Sequence, residues 1–406
     1  MARNFPDFLS AYFEYARDGY CPDRFHKWVG LSIVAAAVER KISLMNGRVH
    51  RVPNLYVMLV SHPAVGKTTA MGAGVDLLET LKEKHNVNFR IIPNQITEPA
   101  FVKLMNIIDR YQIPGTTIAL PQSAGFFYAS EASASALQNT FGNFTATMTE
   151  FYDCPKKFRK DAKVDPSMTV IENACMNLLA GSTFDYLKTL VNDQSVLGGF
   201  ASRLTYVVED ERRVKETKWG ASQEFDSRVA RALVEDLAHI NKLIGPMKPT
   251  DGFKRRWEEW KPKFDQYLID LKSERMESIM ARKGTCLEKV SMLLSISEGD
   301  SLILTEDHFD RALELVEDVY KDNAMIIASA AVAQIDTQKG TNQLIMQTLK
   351  KNGGKMPKSA LYRAVAMKGN GFDLLTRSID GLLIAGNISI NSSSVIELHT
   401  DPNSHL

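Results

Sequence analysis

The chain has 406 residues, with 49 Lys plus Arg against 48 Asp plus Glu and a formal net charge of +1. Apolar residues make up 44% and charged residues 24%, a globular balance at a length suited to about two or three domains. With charge so evenly matched, no overall field attracts a polyanion, and any such contact must come from a local basic patch.

The four cysteines, Cys21, Cys154, Cys175 and Cys286, form no C-x-x-C pair, which argues against a structural zinc and fits a reducing cytoplasm. Met1-Ala-Arg-Asn-Phe-Pro-Asp7 does not read as a signal peptide. The longest apolar runs, such as residues 57–60, are far below membrane-spanning length. A soluble, intracellular protein without membrane contact is expected.

Residues 1–50 predict two helices, around 8–18 and 25–40, read as an N-terminal helical collar. Residues 51–210 alternate apolar strands with helices, the pattern of a parallel α/β sheet. The strands are expected at 55–60, 89–92, 116–120, 125–129, 175–180 and 204–208. Residues 211–335 carry helical periodicity, with a turn at 245–249, and read as a helical lid. Residues 340–406 form a unit of their own. It has helices over 342–351, 357–366 and 372–383, then short strands at 388–390 and 395–398, the pattern of a winged helix. Its third helix could lie on DNA, with Arg377 and neighbours such as Lys355, Lys358, Arg363 and Lys368 on phosphates; the same module also serves as a protein-binding unit.

The strongest motif is Leu55-Tyr-Val-Met-Leu-Val-Ser-His-Pro-Ala-Val-Gly-Lys-Thr-Thr69. An apolar strand breaks into a turn and delivers Gly66-Lys67-Thr68 at the head of a helix. The loop of Ser61, Pro63, Ala64, Val65, Gly66 and Thr69 with their neighbours is the candidate cradle for phosphate oxygens, held by its backbone N–H groups, of which Pro63 has none. Lys67 reaches the β- and γ-phosphates, and the Thr68 hydroxyl ligates Mg²⁺. Ser61 stands where the first glycine of the pattern is expected, which a backbone with negative φ tolerates.

Further along, Phe126-Phe-Tyr-Ala-Ser-Glu131 ends an apolar strand in a carboxylate. Glu131 is the candidate base for the attacking water and a candidate metal ligand, with Ser130 on the metal's outer shell or capping the next helix. The strand Cys175-Met-Asn-Leu-Leu-Ala-Gly-Ser-Thr183 presents Ser182 and Thr183 at its tip. There a hydroxyl could hold the γ-phosphate or the water, or cap a helix. Arg203, between Gly198-Gly199 and a strand, offers a planar fork for a γ-phosphate bound by a neighbouring subunit, or a structural ion pair. The densest basic stretch, Lys156-Lys-Phe-Arg-Lys-Asp-Ala-Lys163, reads as a β-hairpin with residues 169–172. Lys156, Lys157, Arg159, Lys160 and Lys163 would lie on phosphates and Phe158 on a base of single-stranded nucleic acid; a solvated charged face is the alternative.

In this order, Pro22-Asp-Arg-Phe-His-Lys-Trp28, Asn54-Leu-Tyr-Val57, Gly66-Lys67-Thr68, Ser130-Glu131, Phe151-Tyr-Asp-Cys154, Asn177-Leu-Leu-Ala-Gly181 and Gly198-Gly-Phe-Ala-Ser-Arg203 resemble the primase–helicase ATPases of phages and mobile elements. The core of that family is similar to MCM-like and superfamily 3 helicases of the AAA+ class. The resemblance spans roughly residues 5–330. It implies an AAA+ P-loop core with N-terminal helices and a helical lid, while the winged-helix module rests on its own pattern of elements. The resemblance also implies a ring, commonly a hexamer, with ATP and Mg²⁺ between subunits and hairpins in a central pore. Arg203 then matches an arginine finger of the Ser-Arg-Phe type, with Leu204 in place of the aromatic. Lys156–Lys163 falls at the pre-sensor hairpin, and Arg282, ahead of Lys289, is the candidate for a second nucleotide-sensing cation. The function implied is an ATP-driven replicative helicase moving on single-stranded or forked DNA in the cytoplasm of a bacterial host, served by a separate primase or initiator. The alternatives are a non-unwinding AAA+ switch, acting as helicase loader or initiator, and a DNA- or partner-binding scaffold assembled by ATP.

Overall fold

The computed structural model describes residues 3–17, 20–87, 89–92, 96–113, 116–130, 145–160, 169–184, 187, 199–212, 223–271, 273–366, 372–391 and 394–399. Glu131, Lys163 and Lys368 lie outside the described residues, and only the backbone is described at Lys160 and Arg377. The chain divides into two units, Met1–Ile327 and Ala328–Leu406. The boundary expected between 335 and 340 therefore lies earlier, within a long helix.

The first unit opens with helix α1 (Phe8–Ala16), started by the Asp7 carboxylate, which accepts from the Leu9 and Ser10 amides. Helix α2 (Asp23–Val38) is buried along nearly its whole length, because its Leu31–Val38 half is apolar except for Ser32, whose hydroxyl donates to the Trp28 carbonyl within the helix. It packs against the phosphate-loop helix and the sheet and belongs to their hydrophobic cluster. The two expected helices thus form, but as core rather than collar. Residues 42–51, expected within that collar, instead make a hairpin of strands β1 (Ile42–Asn46) and β2 (Val49–Arg51).

Strand β3 (Tyr56–Val60) is buried at all positions, as a parallel strand covered on both faces requires. In order follow α3 (Lys67–His85), β4 (Arg90–Ile92), α4 (Glu98–Met105), β5 (Asp109–Gln112), β6 (Ala119–Ala129), α5 (Thr145–Tyr152), β7 (Lys157–Lys160), β8 (Thr169–Glu172), β9 (Ala174–Ser182), α6 (Phe200–Arg203) and β10 (Thr205–Val208). The central sheet runs β10-β3-β9-β6-β4, every pair parallel, with β5 antiparallel on β6. The fold is α/β with a mostly parallel central sheet. Two sequence expectations change here. The strands expected at 116–120 and 125–129 are one 11-residue strand, and β5 is unexpected because Asp109-Arg-Tyr-Gln112 shows no apolar alternation.

The helical segment contains α7 (Gln223–Ile240), β11 (Gly245–Pro246), β12 (Lys248–Pro249), α8 (Asp251–Asp270), α9 (Glu274–Met280), α10 (Lys283–Glu298), β13 (Ile303–Leu304) and α11 (Glu306–Lys351). The turn expected at 245–249 carries two short strands: β11 pairs with β1, and β12 with β13. Helix α10 is buried almost throughout and shares one core with α2. The segment read as a lid thus shares the core of the α/β sheet.

The second unit adds β14 (Lys355–Pro357), α12 (Lys358–Ala366), α13 (Phe372–Ile384), β15 (Ile388–Ile390) and β16 (Val395–Leu398). Its antiparallel sheet runs β14-β16-β15. Leu361, Val365, Leu375 and Ile379 from the helices close over Ile388 and Ile396 from the strands, together with Ile345 and Leu349 of α11. Strand β14 is an addition to the expected three helices and two strands. Among the described residues, no helix is long and apolar enough to cross a membrane.

Candidate functional site

Between β3 and α3 the backbone turns left-handed at Ala64 (φ 68°) and Gly66 (φ 105°), not at Ser61. A serine at the first loop position therefore carries no backbone strain. It also anchors the lysine, because Lys67 Nζ donates to Ser61 Oγ at 2.7 Å, to the Ser61 carbonyl at 3.0 Å and to the His62 carbonyl at 3.0 Å. The ammonium is buried and aimed across the loop. Helix α3 has no side-chain cap at Gly66, and the amides of a helix's first turn favour an anion. Thr68 and Thr69 are exposed beside them.

One wall of this loop has no counterpart in the sequence motif. The Tyr20–Cys21 segment lies over Gly66, where an added Cβ would come within 2.8 Å of Cys21 Sγ and 2.9 Å of the Tyr20 ring. Cys21 Sγ donates to the Gly66 carbonyl at 3.3 Å, and the Tyr20 and Thr69 hydroxyls are 3.2 Å apart. The Arg212 guanidinium sits 4.5 Å from the Tyr20 ring centre. Two residues in a short connection between helices give no periodic signal.

On the other flank, β9 lies between β3 and β6. Val60 is opposite Ser182, and the Ser61 amide donates to the Ser182 carbonyl at 3.3 Å. Ala129 is opposite Ala180, so Ser130 ends at the same edge of the sheet, about 10 Å (two strand spacings) from β3. Ser182 is buried, with its hydroxyl donating to the Thr183 carbonyl at 3.3 Å. The His62 ring packs 5.1 Å from Phe184, tying the phosphate loop to the tip of β9. Asn177 is structural: its Oδ1 accepts from the Leu55 amide at 2.9 Å and its Nδ2 donates to the Ala35 carbonyl.

Gly181 governs the close approach of these strand tips. A Cβ there would meet the Ser130 carbonyl at 2.6 Å and Met71 of α3 at 2.9 Å. Gly181→Ala should therefore cost about 1–3 kcal/mol of stability, read as a lowered Tm. It should depress any turnover further, because the displaced atom is the carbonyl just before Glu131.

Arg203 lies at the opposite end of the sheet from the loop. It precedes β10, whose Thr205 is opposite Val57 and whose Val208 is opposite Val60. At 3.3 Å per residue the loop is roughly 15–20 Å farther along, beyond the reach of this side chain. Its Nη2 donates to Asp153 Oδ2 at 2.6 Å and its Nη1 to the Gly199 carbonyl at 2.9 Å. Arg282, at the head of α10, stands with it: burial, then the Arg203 charge, lower the Arg282 pKa, while Asp153 opposes both. The structure thus groups Arg282 with Arg203, not with Lys67 of the same chain.

Lys289 is excluded as a nucleotide-sensing cation. It is buried, donates to Asn54 Oδ1 at 2.7 Å and lies 3.6 Å from the Tyr152 ring centre. Burial pushes its pKa down from 10.5 to about 8. The unfolded chain keeps this proton up to about 10.5, so between those pH values the unfolded state binds more protons and stability rises with pH. The rise amounts to on the order of 3 kcal/mol for this group. Denaturant unfolding from pH 7 to 10.5 should show that slope in wild type and its loss in Lys289→Met.

The basic stretch forms the expected hairpin, with Lys157 opposite Glu172 and Lys160 opposite Thr169. Lys156, Lys157 and Arg159 are exposed. Phe158 corrects the expectation of a base-stacking ring: it is 4% exposed and packs on Phe151 at 5.0 Å. Strand alternation sends Lys157 and Arg159 to one face and Phe158 to the other, so the hairpin offers cations without an aromatic. In the second unit, Arg377 lies on α13, the third helix.

No family model and no curated protein matches this chain.

Proposed function

We propose that this chain is an ATPase of the AAA+ class that assembles into a ring and works as a replicative helicase moving along single-stranded DNA. The observation that carries the reading is the separation of two cationic groups: Lys67 with its loop at one end of the β3–β10 pair, and Arg203 with Arg282 at the other. Such a division is useful when each subunit completes its neighbour's site, commonly in a hexamer.

ATP would lie with its β- and γ-phosphates on the first-turn amides of α3 and on Lys67. The loop fits this group: its ammonium is buried and aimed inward, and its helix end is uncapped. Thr68 would supply one oxygen to Mg²⁺, which keeps waters and phosphate oxygens as its other ligands. Glu131, next after Ser130 in the sequence, would orient the water, and Ser130 and Ser182 would border the γ-phosphate. Catalysis would rest on positioning and charge stabilisation. The exposed Lys156, Lys157 and Arg159 would follow the DNA backbone, and the C-terminal unit, read as a winged helix, would add a DNA or protein contact through α13.

The test is ATP turnover with and without single-stranded DNA, paired with strand displacement on a forked duplex. DNA-stimulated turnover that falls steeply with salt, with displacement, is expected. A second reading, a non-unwinding switch such as a loader or initiator, draws support from the burial of Phe158, which removes the stacking contact. Turnover without displacement would favour it.

A further inference from the structure

In the free chain, the fork of Arg203 is already engaged by its own subunit. The Arg203 side chain is 9% exposed and Asp153 50%, and the carboxylate takes up the Nη2 donor that a phosphate oxygen would need. Asp153 also occupies a particular place in the chain. It follows α5 and leads through Cys154 and Pro155 directly into the basic hairpin β7–β8.

Both roots of that hairpin are left-handed at residues other than glycine, Cys154 at φ 48° and Asn173 at φ 50°. The roots are cross-tied by Asn173 N–H to the Lys156 carbonyl at 2.9 Å and Ala174 N–H to the Pro155 carbonyl at 3.2 Å. Arg40, at the end of α2, donates to the carbonyls of Cys154 and Ala174. Phe158 of β7 rests on Phe151, two residues before Asp153. Hairpin, root and Asp153 are therefore joined by packing and hydrogen bonds. Through these contacts a displacement of the charged face would reach the carboxylate that holds Arg203.

We propose that Asp153 is a positioning residue that latches Arg203 in the unengaged subunit and releases it when the hairpin takes up an anionic strand. This rests on the reading of Arg203 as a group acting on the neighbouring subunit. Strand binding would then switch on the neighbour's site by freeing its arginine, rather than by altering its phosphate loop.

Modification of Arg203 by phenylglyoxal, followed by mass spectrometry of its peptide, tests the latch without using turnover. The proteins are wild type, Asp153→Asn and Asp153→Glu, at low concentration, with and without oligothymidylate. Arg203 reactivity should rise several-fold in Asp153→Asn, and in wild type on adding oligothymidylate, with no further rise in Asp153→Asn. Asp153→Glu, which keeps the carboxylate, should restore protection. Equal Arg203 reactivity in wild type and Asp153→Asn would overturn the latch. So would a wild-type reactivity indifferent to oligothymidylate bound to the protein, as followed by fluorescence anisotropy. If these protection changes appear in a chain that never hydrolyses ATP, the latch stands and the ATPase reading is the one that fails.

Discussion

Arg203→Ala should reduce DNA-stimulated ATP turnover by about 10³–10⁵-fold, the usual worth of an arginine supplied to a phosphoryl-transfer site. ATP affinity at the same subunit's loop should stay unchanged. Arg203 lies at the far end of β10 from that loop, and its present partners are Asp153 and the Gly199 carbonyl. Equilibrium binding of a fluorescent ATP analogue beside steady-state turnover separates the two effects. Loss of both together would mean that Arg203 supports the fold of its own subunit.

Lys67→Ala carries the second large effect, at the other end of the sheet. The ammonium is buried and bonded to three loop oxygens, so its removal takes away the one charged donor inside the loop. Turnover should fall by at least about 10²–10³-fold, as when a preorganised donor to a developing charge is deleted. Here, unlike Arg203→Ala, nucleotide affinity should fall as well. The Tm without nucleotide should hold or rise, since a buried charge has been removed. A large drop in Tm would show that Lys67 is needed to shape the loop.

The features that sequence made legible are those written in contiguous residues. An apolar strand, a Pro-Ala-Val-Gly turn and a helix beginning at Lys67 state the phosphate loop locally. Five cations around Phe158, followed by a β-rich run, state the hairpin. Features defined by contacts between distant segments were misread or missed. Phe158 reads as a stacking ring among cations, but Phe151, seven residues earlier and on another element, claims it for the core. Helix α2 reads as a peripheral collar, yet its second half, apolar but for Ser32, is the pattern of a helix covered on every side. Arg282 reads as a partner for the phosphate loop, and only the fold of α10 brings it to Arg203. Tyr20 carries no motif, and Asp153 stands in Phe151-Tyr-Asp-Cys154 without a role of its own, since an aspartate after a helix and a tyrosine before Cys21 acquire meaning only from what folds against them.

The most direct test of a shared site is complementation. Lys67→Ala and Arg203→Ala proteins are each assayed alone, then mixed in equal amounts under conditions that exchange subunits. An interface pairing the intact loop of the Arg203→Ala subunit with the intact Arg203 of its Lys67→Ala neighbour is wild-type in both groups. With random assembly about one interface in four has this composition. Turnover in the mixture should therefore recover to about a quarter of the wild-type rate. A mixture no more active than the average of its two inactive components would contradict the claim that Arg203 serves the neighbour's nucleotide.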